Sequence, residues 1–167
     1  MSAGLRLELE AGALDRARAE VAVVTLFEGE RPLRGGAGRA DWRLCGLLAD
    51  LVAAGRMRGC AGEAALLPTS RRLAAPRLLV LGLGAQRRFE AEPALRLAEE
   101  AVARLVALRA ASAVLAPPDA GERPSWGPIA RALAEGAGRA IGEGSLRLAL
   151  LLPPEALPDA RKVLGRS

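Results

Sequence analysis

The sequence predicts a three-layer α/β/α sandwich built on a mixed, mostly parallel sheet. Three observations lead there. Short aliphatic runs of strand length alternate with longer stretches of helical periodicity, the order expected of strands joined through crossover helices. The runs Val21–Phe27 and Arg77–Gly84 are almost continuously apolar, as strands covered on both faces are. Hydrophobic residues make up 51% of the chain and aromatic ones only 2%, so Leu, Val and Ala must close the core. At 167 residues the chain is read as a single domain, 1–167, long enough to bury such a core.

The elements follow in order. Leu5, Leu7 and Leu9 alternate with Arg6, Glu8 and Glu10, a half-buried edge strand. Val21–Phe27 is a central strand. Leu33–Ala40, LRGGAGRA, reads as a flexible glycine loop. A helix then starts near Asp41 as N-cap and stops at Gly55 as the C′ residue, with Leu44, Leu47, Leu48, Leu51 and Val52 at helical spacing. Glu63–Pro68 is a short strand, and Arg77–Gly84 is a central one ending in glycines.

The long helix Glu92–Arg109 buries Leu95, Ala98, Val102, Leu105 and Val106. Its other side carries the i,i+4 pairs Glu92–Arg96 and Glu100–Arg104. Ser112–Ala116 is a strand ended by Pro117 and Pro118. Pro128–Ile141 is a helix loosened by Gly136 and Gly138. Leu146–Leu152 is the last strand, and a short helix runs from Leu157 to Leu164.

Composition excludes several chemistries. The chain has no His and no Tyr, which removes Ser-His-Asp and Cys-His nucleophile activation and imidazole ligands for zinc. The carboxylates are scattered singly with no ligand spacing, so neither catalytic residues, nor a metal, nor a cofactor is expected. Cys45 and Cys60 are expected as free thiols. No apolar run approaches the roughly 20 residues that cross a bilayer, and Met1–Glu10 lacks the order of a signal peptide. A cytoplasmic protein without a membrane partner is expected. Residues 31–88 hold eleven arginines against three acids, whereas 1–30 hold three against six. That asymmetry keeps open a non-specific nucleic-acid contact, through pairs such as Arg71-Arg72 and Arg87-Arg88.

Five strings in this order resemble one family. They are VAVVTLFEGE at 21–30, LLADLVAAGRMRGCAGEAALLPT at 47–69, RLLVLGLG at 77–84, ALAEGAGRAI at 132–141 and SLRLALLLPPEALPDARKVLG at 145–165. Together they are similar to the N-terminal, non-catalytic domain of leucyl aminopeptidases, although the aromatic residues usual just beyond the ALAEG helix are missing. The resemblance implies a macro-domain-like fold standing alone. It carries over no catalytic or metal residue, because the family holds its metal ions and its catalytic Lys and Arg in a C-terminal domain.

The implied role is a non-catalytic binding or assembly module, partnering or regulating a separate peptidase or associating with itself. Val163 and Leu164 are expected to lack the cover a following domain would give. A second role comes from the macro-domain likeness, since macro domains bind ADP-ribose. Gly35, Gly36 and Gly38 with Arg34 and Arg39 would wrap a nucleotide diphosphate, and Gly82 and Gly84 would face them across a cleft. Against this, 25–30 reads TLFEGE, with acids where such binders carry asparagines.

Overall fold

The computed structural model describes residues 4–85 and 88–165. Six strands are present: β1 (Gly4–Glu10), β2 (Val21–Leu26), β3 (Ala64–Pro68), β4 (Arg77–Gly82), β5 (Ser112–Leu115) and β6 (Ser145–Leu151). They form one sheet in the order β1-β6-β5-β2-β4-β3. Every pairing is parallel except β3 with β4. The helices are α1 (Gly35–Arg43), α2 (Leu47–Ala53), α3 (Ala91–Ala107), α4 (Trp126–Ala140) and α5 (Leu157–Leu164).

Two aliphatic cores make the three layers. Odd residues of β2 (Val21, Val23), with Leu79, Leu81, Leu146, Leu148 and Leu150, pack against α3, α4 and α5. Even residues (Ala22, Val24, Leu26), with Leu78 and Val80, pack against α1 and α2 through Ala37, Ala40 and Leu48. All six residues of β2 are buried because the strand has neighbours on both edges and helices on both faces. This is why its sequence does not alternate.

The glycine stretch is not a loop. It is helix α1, which opens at Gly35 in the αL region (φ +56°). Gly-rich sequence disfavours helix by about 1 kcal/mol per glycine, yet the helix forms where Ala37 and Ala40 pack against the sheet and Gly36 lets the backbone approach it. The helix expected from Asp41 is therefore two helices. They break at Cys45 (φ +56°) and Gly46 (φ +85°). Asp41 still caps, from within α1: its Oδ1 accepts the N–H of Leu48 at 2.8 Å and of Ala49 at 3.0 Å, at the start of α2. Gly55 ends α2 with φ +70°, as its sequence position predicts.

In α3 the buried face holds Ala94, Leu97, Ala98, Ala101, Val102 and Leu105. Leu95 and Val106 lie on its margin, half-buried. Alanines register weakly in a hydrophobic pattern yet supply three of these six residues, because α3 packs closely on both the sheet and α4. Both i,i+4 pairs form, at 3.0 Å each. Helix α5 lies against α4, and the Cβ position of Gly127 is 3.2 Å from Val163. Val163 and Leu164 are thus half-buried by this chain itself, contrary to the expectation of an uncovered patch.

Candidate functional site

The sheet order places the candidate cleft. From β2 the chain crosses through α1 and α2 to β3 and β4 on one side, while β5 lies on the other. Clefts in open α/β sheets form at such a reversal, outside the carboxyl ends of the strands. Here the loops after β2 (27–34) and after β5 (116–125) meet there, beside the start of α1.

The cleft floor between α1, α4 and α5 is a cavity of about 510 Å³. Four carboxylates line it, Asp119, Glu122, Glu155 and Asp159, with Pro117, Pro118 and Trp126 as apolar walls. Among the described residues no Arg or Lys is in that lining. A narrower pocket of about 230 Å³ next to it holds Arg31 and Arg34, but also Glu30 and Asp119. The floor is therefore electronegative, and the cationic groups beside it, Arg31 and Arg34, stand in the neighbouring pocket.

The seven glycines and arginines singled out in the sequence do not form one constellation. Gly35 does line the cleft, and its Cβ position would lie 3.4 Å from the Asp119 amide nitrogen, so the 117–121 loop leans onto the helix start. Gly36 lets α1 touch the sheet: a Cβ would meet the Ala116 Cβ at 2.7 Å and Val24 at 3.3 Å. At Gly38 a Cβ would meet the Leu33 carbonyl at 2.5 Å. Gly82 packs under the carbonyl of Cys60, and Gly84 accepts the Glu28 N–H at 2.9 Å while donating to Gly59 O at 2.8 Å. The second glycine segment is thus held by the 58–61 loop rather than open across the cleft. That loop is itself fixed by Glu63, whose carboxylate accepts the N–H groups of Arg58, Gly59 and Cys60 at 2.7–3.2 Å.

Arg39 is turned away from the cleft. It donates to both oxygens of Asp15, at 2.9 and 3.3 Å, and Arg43 adds a contact at 3.5 Å. The Arg39 guanidinium, with its hydrogen bonds to a largely buried carboxylate, holds the Asp15 pKa below the ordinary range despite burial pulling the other way. Several other arginines of 31–88 are also engaged: Arg31 with Val52 O, Arg72 with Cys45 Sγ and Arg77 with Glu20. Arg87 lies outside the described residues.

One surface feature was not singled out in the sequence. Trp42 is 68% exposed on α1, with the guanidinium groups of Arg39 and Arg43 at 5.4 and 5.9 Å from its ring centre. It borders a groove of about 680 Å³ whose other residues include Pro32, Leu33, Ala49 and Val52. The signal was present: once a helix starts at Gly35, the buried positions Ala37, Ala40 and Leu44 leave residue 42 on the outer face. Among the described residues no three His, Cys, Asp or Glu side chains converge as metal ligands, and no helix is long and apolar enough to cross a membrane.

Residues 23–142 match the family model of the cytosol aminopeptidase family, N-terminal domain. The chain belongs to that family. No curated protein matches it by sequence. Among solved structures, a mutant tomato leucine aminopeptidase is similar over 98% of this chain at 16% identity, with a TM-score of 0.71. The chain spans only 36% of that enzyme's length. A Trypanosoma brucei macrodomain in complex with ADP-ribose is similar over 96% of this chain and 69% of its own, at 14% identity and a TM-score of 0.75. The macrodomain of Thermus aquaticus DarG is similar over 90% of this chain and 100% of its own, at 17% identity and a TM-score of 0.67. The aminopeptidase N-terminal domain here is macro-domain-like in fold, an α/β sandwich on a mixed, mostly parallel sheet.

Proposed function

We propose that this chain acts as a non-catalytic binding or assembly module, meeting a peptidase domain of its family or a second copy of itself. The observation that carries this reading is the match of residues 23–142 to the family's N-terminal domain. Side-chain chemistry supports it. A two-metal hydrolase needs carboxylates converging on ions about 3.5–4 Å apart. Here Asp15 is committed to Arg39 and Arg43, Asp41 to the start of α2, and Glu63 to its own loop. The test is hydrolysis of leucine p-nitroanilide with added manganese or zinc. No turnover above metal alone is expected. Metal-dependent turnover that changes with mutation in this chain would overturn the proposal.

A second reading, binding of ADP-ribose or another nucleotide, draws on the macro-domain-like fold and on Gly35 and Arg34 at the cleft rim. The four carboxylates of the floor oppose it, since like charges close to a diphosphate repel it. Calorimetry with ADP-ribose decides between the two. The assembly reading expects no saturable heat. A clear isotherm abolished by Arg34→Glu, at the cleft rim, would establish the nucleotide site instead.

A further inference from the structure

The sheet has two edges, and they are built differently. On β1 the outer face carries Arg6, Glu8 and Glu10, with Arg6 paired to Glu8 at 3.0 Å and Glu8 to Arg147 at 3.5 Å. Charge on an edge strand opposes pairing with another chain. Strand β3 at the other edge reads AALLP and carries no charge. Its Leu66 is 42% exposed, one of three exposed large hydrophobic residues among those described.

The ladder fixes which groups of β3 point outward. Gly82 N–H donates to Glu63 O at 2.8 Å and Thr69 N–H to Pro76 O at 3.1 Å. With the register Ala64↔Leu81 to Pro68↔Arg77, residues 63, 65, 67 and 69 bond towards β4. Ala64, Leu66 and Pro68 therefore direct their backbone groups away from the sheet. No described residue hydrogen-bonds them there.

From this we infer that β3 is a self-pairing edge, and that its occupant is β3 of a second copy, antiparallel, about a two-fold axis at Leu66. The arrangement is self-complementary. Each Leu66 N–H meets the other copy's Leu66 carbonyl, and each Ala64 N–H meets the other copy's Pro68 carbonyl. Pro68 has no N–H, so pairing stops there instead of running on. Opposite residues in an antiparallel pair project to the same face, so the two exposed Leu66 side chains cover each other. No like charges face across the paired strands. A five-residue strand makes a small contact, so the dimer is weak and depends on concentration. This inference names the surface for the self-association included in the proposed assembly role, and it rests on that reading.

Light scattering over a concentration series tests it on three proteins. The wild-type chain is expected to move from monomer towards dimer as concentration rises. Leu66→Lys and Ala64→Pro are expected to remain monomeric with unchanged circular dichroism. The first puts two like charges at the axis, and the second removes only an outward N–H, which an edge strand tolerates. A cross-linking arm adds a position-specific readout: Leu66→Cys in a Cys45→Ser, Cys60→Ser background should form a covalent dimer with a short bismaleimide. A wild-type monomer at every concentration, or a dimer that survives Leu66→Lys, would overturn the inference. So would a dimer lost in Trp42→Ala but kept in both β3 variants. A monomer that still captures a peptidase domain would refute this edge alone and leave the assembly role standing.

Discussion

Asp15 joins the 3-10 turn at Leu14–Arg16 to helix α1 through Arg39 and Arg43. Its folded pKa is lowered, chiefly by the hydrogen bonds from Arg39. The stabilisation it adds is therefore present above the ordinary carboxylate range, and it fades as pH falls through the lowered folded value. Asp15→Asn is expected to cost about 1 kcal/mol near neutral pH, discounted for the exposure of the arginines. Urea midpoints of the two proteins should converge once the pH is well below the carboxylate range. A gap that stays constant with pH would contradict the ion-pair account. Thr25 poses the opposite case. Its hydroxyl is buried in β2 with no hydrogen-bond partner among the described residues. An unpaired buried hydroxyl carries a desolvation cost, so Thr25→Val, of the same shape, is expected to raise stability by about 1 kcal/mol. A lower thermal midpoint for Thr25→Val would argue that the hydroxyl has a partner after all.

At the scale of elements, the strands and helices α3, α4 and α5 were legible because aliphatic runs and helical spacing are burial signals. Residues 21–26, 77–82 and 145–151 are strands for the same reason they look like strands: each is covered on both faces or on one. The α1–α2 corner was hidden. Glycine propensity argued for a loop at 35–38, and only packing of Ala37 and Ala40 on the sheet overrides it. The candidate site was legible only at Gly35 and Arg34. The roles of Gly36, Gly38, Gly82 and Gly84 depend on close approach by residues distant in sequence, such as Ala116 and Cys60, which no local pattern encodes. The corner also yields a prediction. Asp41→Ala removes the acceptor for the Leu48 and Ala49 amides and is expected to cost about 1 kcal/mol. Hydrogen exchange should rise at those two amides first; unchanged protection there would show that α2 is capped by other means.

Across the whole molecule, charge is arranged unevenly. The cleft floor at the strand ends is acidic, while Arg39, Arg43 and Trp42 form a cationic, aromatic face on α1. If segment 31–88 contacts nucleic acid, the contact runs through phosphate, and duplex binding should fall steeply with salt, without preference between two unrelated sequences. Anisotropy showing a strong preference for one duplex at 200 mM salt, roughly physiological ionic strength, would contradict a purely electrostatic contact. The assembly role places the functional weight elsewhere, on protein surfaces. Its most direct test is affinity capture of the tagged chain from lysate of its own host, with and without nuclease, read by mass spectrometry. The expected result is a metallopeptidase chain, or an untagged copy of this chain, recovered in near-equal amount and unaffected by nuclease. Recovery of neither, or only of partners that nuclease releases, would contradict it.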